Sequence, residues 1–175
     1  ALRQADTAMR QAKEAGGNTY SYYSGELTER HTRRLSLEGR LRRAIEQGNF
    51  VLHYQPIVEL DSGRTVGVEA LVRWPQDDGS LLAPDAFIPL AEETGLMDSL
   101  GHWVAHAACT QVRAWEEQGF TPRMSVNLSV HQLLRPRLAD EFAELMETCD
   151  ARPSHFELEV TESAIMRGSV SRRSR

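Results

Sequence analysis

Three polar residues stand where their neighbours are aliphatic. Glu69 lies in the stretch 65–74, Asn127 in 124–129 and Glu159 in 156–162, each bordered by residues that favour a strand. Each is expected in the C-terminal part of its strand. A lone carboxylate is expensive to bury unless it is paired or bound to a metal. In a parallel α/β barrel the C-terminal strand ends are where chemistry sits. Two carboxylates and one amide oxygen converging there suit a hard divalent cation, Mg²⁺ or Mn²⁺. Taken singly, either glutamate reads better as a strand carboxylate on a wet face. Three such residues on three successive strand candidates point instead to a shared site.

Side chains alternate along a strand, so Glu69, Leu71 and Arg73 share a face. Glu69 and Arg73 would stand about 13 Å apart, at ~3.3 Å per residue. That spacing is too long for an ion pair. It suits a metal ligand deeper in and a phosphate contact nearer the rim, where a guanidinium fork is well shaped. A plain strand-end charge fits Arg73 equally well. The histidines carry less. His102 and His106 have the i, i+4 spacing of a zinc pair, but Trp103 stands where a metalloprotease motif needs glutamate, so core or surface histidine is the better reading. His53, His131 and His155 belong to no motif.

These residues need a scaffold, and the chain supplies its signals. Residues 2–15 have a helical period (Leu2, Ala5, Ala8, Met9, Ala12, Ala15) that Gly16-Gly17 ends, with a strand-like stretch after it at Tyr20, Tyr22 and Tyr23. Residues 26–47 form a second helical pattern with Leu37, Leu41, Ala44 and Ile45 on its apolar stripe. Its arginines, Arg30, Arg33, Arg34, Arg40, Arg42 and Arg43, could contact phosphate. Interspersed with Glu26, Glu29, Glu38 and Glu46, they read better as a solvated face.

After Gly48 the period changes. Phe50–Leu60 and Thr65–Trp74 are strand candidates about the turn Asp61-Ser62-Gly63, which makes a hairpin. Pro84-Asp85 opens a short helix closed by Gly95. A longer one comes next, with Leu100, Val104, Ala108, Val112 and Trp115 on one face and Gly119 as its stop. Arg123–Ser129 is a strand, Leu138 to Met146 marks a helix, Pro153 breaks the chain, and Phe156–Thr161 is a strand. Strand and helix alternate after the hairpin, which predicts an α/β fold with a parallel sheet. The Ser/Arg-rich end, 168–175, has no apolar pattern.

Bulk properties set limits. The chain has 175 residues, 41% hydrophobic and 26% charged, with a net charge of -5 and a pI near 5.7. That is a globular composition without the basic footprint of a DNA- or RNA-binding domain. Cys109 and Cys149 have no metal-like spacing and are expected to be reduced. No apolar run approaches the ~20 residues of a membrane span, so a cytoplasmic domain is expected. The chain begins inside a helix-like sequence without a start methionine, so sequence upstream is expected, and an anchor there stays open.

Taken together, Tyr54-Gln55-Pro56, Glu69-Ala70-Leu71-Val72-Arg73, Asn127-Leu128-Ser129 and Glu159-Val160-Thr161-Glu162 resemble the successive motifs of the EAL family of bacterial cyclic-di-GMP phosphodiesterases. Pro84-Asp85-Ala86-Phe87-Ile88-Pro89 and Ala91-Glu92-Glu93-Thr94-Gly95-Leu96 are similar to that family as well. The resemblance runs from about Leu37 to Ile165. Ala5-Asp6-Thr7-Ala8-Met9, Ala12-Lys13-Glu14-Ala15-Gly16 and Asn18 resemble the final helix of a GGDEF diguanylate cyclase domain, departing at Arg10 where that family commonly has tyrosine.

The resemblance implies a TIM-like β/α barrel opening with a β-hairpin, in which metal ions and a water hydrolyse one phosphodiester bond of cyclic-di-GMP to give linear pGpG. It implies Glu69, Asn127 and Glu159 as metal ligands, with Glu162 behind them. It implies Gln55, Leu71 and Arg73 as substrate-binding positions, Gln55 on guanine and Arg73 on phosphate. The implied organisation is a GGDEF tail over 1–24, a linker and first EAL helix over 25–48, a truncated EAL domain over 49–168 and a tail over 169–175. The family's next motif, an Asp-Asp-Phe-Gly-Thr-Gly run, is absent, as are the later Lys, Glu and Gln. A whole barrel takes roughly 250 residues, about twice the length of chain beyond Gly48. The expectation is therefore a partial barrel, inactive alone and prone to self-association through an open edge. A non-catalytic module that binds cyclic-di-GMP or a protein, and a fragment without function of its own, are the alternatives.

Overall fold

The computed structural model describes residues 9–10 and 25–160. The expected strand at the tyrosines, the helix over 2–15 apart from helical Met9 and Arg10, Glu162 and the Ser/Arg-rich end all lie outside those residues. Two compact units divide the chain, residues 1–43 and 44–175. Helix α1, Gly25–Gln47, crosses the boundary. Its predicted stripe is real: Leu41 and Ala44 are buried, Leu37 and Ile45 half-buried. Gly48 ends it at φ +65, and a Cβ there would come within 3.0 Å of Trp103 Nε1. Glycine is thus required for both the left-handed backbone and the space.

The second unit is built on a sheet of five strands, β1 (Val51–Val58), β2 (Thr65–Pro75), β3 (Leu81–Leu82), β4 (Arg123–Leu128) and β5 (Phe156–Val160), in the order β1-β2-β4-β5 with β3 paired to β2 outside that path. Strands β1, Val51–Val58, and β2, Thr65–Pro75, form the expected antiparallel hairpin. Strand β4, Arg123–Leu128, adds to β2 in parallel, and β5, Phe156–Val160, adds to β4 in parallel. The connections run through a 3₁₀ turn at Pro84–Ala86, helices α2 (Ile88–Glu93) and α3 (Met97–Glu116), then α4 (Val130–Leu133) and α5 (Leu138–Thr148). The result is TIM-like: a mixed α/β fold with a partial parallel sheet.

Three details depart from the sequence reading. Residues 84–95 are not one helix. Pro89 has no N–H to donate to residue 85, and its ring clashes with that carbonyl, so a helix begun at Pro84 cannot run through it. The chain breaks at Phe87 (φ -133), which is fully buried. Strand β3, Leu81–Leu82, and helix α4 were not expected. Two residues are too few to show a period, and α4 has four.

One face of the sheet is aliphatic and covered. Val68, Ala70, Val72 and Trp74 of β2 and Met124, Val126 and Leu128 of β4 are all buried. Phe50 ties this face to the helices, with ring centroids 6.0 Å from Trp74, 5.9 Å from Phe87 and 5.5 Å from Trp103. Tyr54 of β1 meets Trp115 of α3 edge-on at 4.8 Å, and this burial pushes its hydroxyl pKa up. A second packed group, Ala105 and Cys109 of α3 with Leu145 and Met146 of α5 and Ala151, seats the α5–β5 connection. Among the described residues no helix is long and apolar enough to cross a membrane.

Candidate functional site

The opposite face carries the polar residues, and the register decides which of them meet. Gln55 pairs across the hairpin with Glu69, His53 with Leu71 and Val51 with Arg73. Glu69 aligns with Ser125 of β4, and Asn127, two residues on, aligns with Glu159 of β5. Paired residues point to the same side. Gln55, Glu69, Leu71, Arg73, Asn127 and Glu159 therefore all belong to one face of one sheet, as alternation within single strands suggested for three of them.

The strongest direct link joins β2 to β4. Asn127 Nδ2 donates to Glu69 Oε1 at 2.8 Å. This bond orients the amide. With one amide hydrogen on the carboxylate, Asn127 has Oδ1 as an acceptor, and Glu69 keeps its second oxygen. Glu159 stands beside Asn127 in the register. The donors of this row are all oxygen, two carboxylates and an amide carbonyl, which is the set a hard divalent cation takes. The residues present fit such an ion. Among the described residues no three His, Cys, Asp or Glu gather at one point.

Two expectations change. Glu69 is not near the end of its strand but in its middle, because β2 runs on to Pro75 to pair with β3. Its parallel pairing with β4, however, stops at Ala70, so Glu69 does sit at the C-terminal end of the parallel segment. Nor are the three residues buried. Asn127 is exposed and Glu69 and Glu159 half-buried. The burial cost that singled them out is replaced by an open, wet row of acceptors.

Arg73 is half-buried and donates through Nη1 to the Val72 carbonyl at 2.9 Å. One of five N–H donors is used there, so the fork is anchored at the strand rather than extended. Residues that sequence reasoning missed lie behind the row. Ser125, on the same face and aligned with Glu69, is 1% exposed. Its spacing of two from Asn127 was the available signal. Gln132 is the other buried polar residue among those described, at 5%. It closes a capping box with Ser129: Gln132 N donates to Ser129 Oγ at 3.2 Å, and Ser129 N donates to Gln132 Oε1 at 3.1 Å. The Ser-x-x-Gln spacing signals this in sequence. The box fixes the chain just beyond Asn127, and its Gln132 amide occupies the space where a Gly101 Cβ would be, 1.8 Å from Nε2.

Residues 38–174 match the EAL domain family. The chain is 41% identical over 164 residues to the bifunctional diguanylate cyclase/cyclic di-GMP phosphodiesterase MucR of Pseudomonas aeruginosa, covering 93% of this chain and 24% of that protein. It is 34% identical to the cyclic di-GMP phosphodiesterase PdeR of Escherichia coli, over 94% of this chain and 25% of the relative. The chain thus spans about a quarter of these relatives' length. A solved structure described as the PaMucR phosphodiesterase in complex with c-di-GMP superposes with a TM-score of 0.71 at 42% identity, over 78% of this chain and 56% of that one.

Proposed function

We infer the function from one premise: the chain belongs to the EAL domain family. The open face of the sheet is one wall of a cyclic-di-GMP site, and the protein acts in bacterial cyclic-di-GMP signalling as a phosphodiesterase-type domain. The observation that carries this reading is the Asn127–Glu69 bond at 2.8 Å, which turns two neighbouring strands into a single oxygen-donor row.

Glu69, Asn127 and Glu159 would hold Mg²⁺ or Mn²⁺. When bound, such ions lower the pKa of a water and offset charge on a phosphoryl oxygen. Glu69 and Asn127 fix each other's orientation, so their acceptor atoms are set before a ligand arrives. Gln55, opposite Glu69 in the register, offers an amide to a guanine edge. Arg73, further along β2, offers its guanidinium to a phosphate, and Leu71 between them gives an apolar contact. Glu162 would lie behind Glu159. Hydrolysis of one phosphodiester would give the linear dinucleotide pGpG.

Residues 1–24 read as the tail of a GGDEF domain, 25–48 as a linker and first helix, 49–168 as the EAL portion and 169–175 as a tail. The residues this chain carries are only part of the family's ligand set. Alone it is therefore expected to bind cyclic-di-GMP weakly and not to hydrolyse it, which is where a non-catalytic binding module becomes the second reading. DNA and RNA are not expected partners of an acidic domain. Self-association through the outer edge of β5, where Leu158 is 40% exposed, is checked by sedimentation across a concentration series.

The test is hydrolysis and binding of cyclic-di-GMP with Mg²⁺ or Mn²⁺, for this chain and Glu69→Ala. Binding that requires the cation and vanishes in Glu69→Ala, without turnover, supports the reading. Turnover that vanishes in Glu69→Ala would overturn the expected inactivity and mean that a second copy supplies the remaining donors. Neither binding nor turnover would leave a fragment with no function of its own.

A further inference from the structure

We propose that Cys109 and Cys149 form a peroxide-oxidisable pair that closes to an intramolecular disulfide joining α3 to the C-terminal end of α5. They are the chain's two cysteines, and both are free thiols. They stand far apart in sequence, yet the fold brings them together. Cys109 belongs to the buried group of Ala105, Leu145, Met146 and Ala151, and Cys149 packs against that same group. Cys149 also stands close enough to Cys109 to help raise its pKa. Two thiols in one packed group, one from the middle of a helix and one capping the end of another, are placed for a bridge between those helices.

The two thiols have different parts to play. Cys109 is 1% exposed. Burial first, and then the neighbouring Cys149, pushes its pKa up to about 12, so it stays protonated and unreactive toward solvent at neutral pH. Cys149 is half-buried and is the thiol that an oxidant in solution can reach. Its thiolate attacks a peroxide oxygen, the O–O bond breaks, and Cys149 becomes a sulfenic acid while the departing hydroxide takes a proton to become water. The Cys109 sulfur then attacks the Cys149 sulfur. The S–O bond breaks, and the Cys109 proton leaves with the hydroxyl as a second water. Two thiols and one peroxide give one disulfide and two waters.

The location gives the bridge a consequence. Asp150, the non-glycine residue with positive φ (51°) among those described, and Ala151 come directly after Cys149 and lead into β5, which carries Glu159. A bond from Cys149 to α3 would fix the start of that connection. This inference is independent of the nucleotide site, since it needs only the two sulfurs.

The experiment uses the reduced full chain and hydrogen peroxide. After treatment the protein is unfolded and its free thiols are labelled with a maleimide polymer. The expected result is loss of both thiols together, faster migration without reductant, a linked Cys109–Cys149 peptide two hydrogens lighter than the separate peptides, and full recovery with dithiothreitol. Cys109→Ala is expected to stop at a Cys149 sulfenic acid, trapped by dimedone. In Cys149→Ser the Cys109 thiol is expected to survive the same treatment. Two intact thiols in the wild type, or links only between separate molecules, would overturn the proposal. The wild-type peptide masses decide it even if a variant folds poorly.

Discussion

Val126 and Asn127 are neighbours in β4, yet they live in different surroundings. Val126 points into the covered face of the sheet, 3% exposed, and Asn127 points to the open face, where it bonds Glu69. The same division runs along β2, with Val68, Ala70, Val72 and Trp74 on one side and Glu69, Leu71 and Arg73 on the other. One backbone thus serves two purposes. The covered side supplies the apolar burial that holds the sheet against α3, and the open side is free to carry acceptors that a core would not tolerate. If so, substitutions on the two faces should separate cleanly: one set should lower unfolding free energy, the other should lower ligand binding and leave unfolding nearly untouched.

The largest expected effect is on the covered face. Trp74 is buried between Phe50 and Phe87, with centroids at 6.0 and 5.8 Å. Trp74→Ala should lower the unfolding free energy by about 3–5 kcal/mol, as large-to-small core changes do, measured by urea denaturation. A loss below about 1 kcal/mol would mean that this face is not the core. Next comes the contact behind the site. Gly101→Ala places a Cβ where Gln132 Nε2 already sits and should cost about 1–3 kcal/mol by overpacking. The double variant Gly101→Ala/Gln132→Ala should lose less than the two single losses summed, because removing Gln132 clears the space. Strict additivity would show that the two side chains do not compete.

The sharpest form of the comparison is the adjacent pair. Val126→Ala should cost about 1–3 kcal/mol, the transfer of its methyl groups plus a cavity. Asn127→Ala should change unfolding by no more than about 0.5 kcal/mol, as for exposed positions, while lowering affinity for cyclic-di-GMP with Mg²⁺ roughly tenfold or more. Equal effects of the two on unfolding would erase the distinction between the faces.

What the sequence could disclose of all this depends on the physics of each feature. The hairpin, β4, β5 and α3 were legible because their apolar residues repeat at periods of two or near four over several turns of chain. Glu69, Asn127 and Glu159 were legible as exceptions to those periods. The Glu69–Asn127 bond was not, since it depends on a parallel register that places Glu69 against Ser125 and so leaves Asn127 one pleat further on. The break at Phe87 was concealed by a start signal at Pro84-Asp85 and a stop at Gly95, although Pro89 forbade continuation. The meeting of Cys109 and Cys149 in one packed group lies wholly in how α3 and α5 pack, and spacing along the chain holds no trace of it.

The smallest expected effect lies at the hairpin tip, beyond both faces. Glu59 accepts from Ser62, and its carboxylate pairs with Arg64 at 3.2 Å. These two contacts, the Ser62 hydroxyl foremost, hold the Glu59 carboxyl below its ordinary pKa. A carboxyl depressed in the folded state stabilises the fold above its unfolded pKa, and that contribution disappears as pH falls through the folded value. Because the group is exposed and screened, the effect should be visible in a site-resolved NMR titration of Glu59 and hardly at all in unfolding. Ser62→Ala should move the Glu59 midpoint back toward the ordinary glutamate value while the urea transition stays in place. A transition that moved with it would put stability at the tip as well as in the covered face, and the division between a face that holds the fold and surfaces that do not would have to be redrawn.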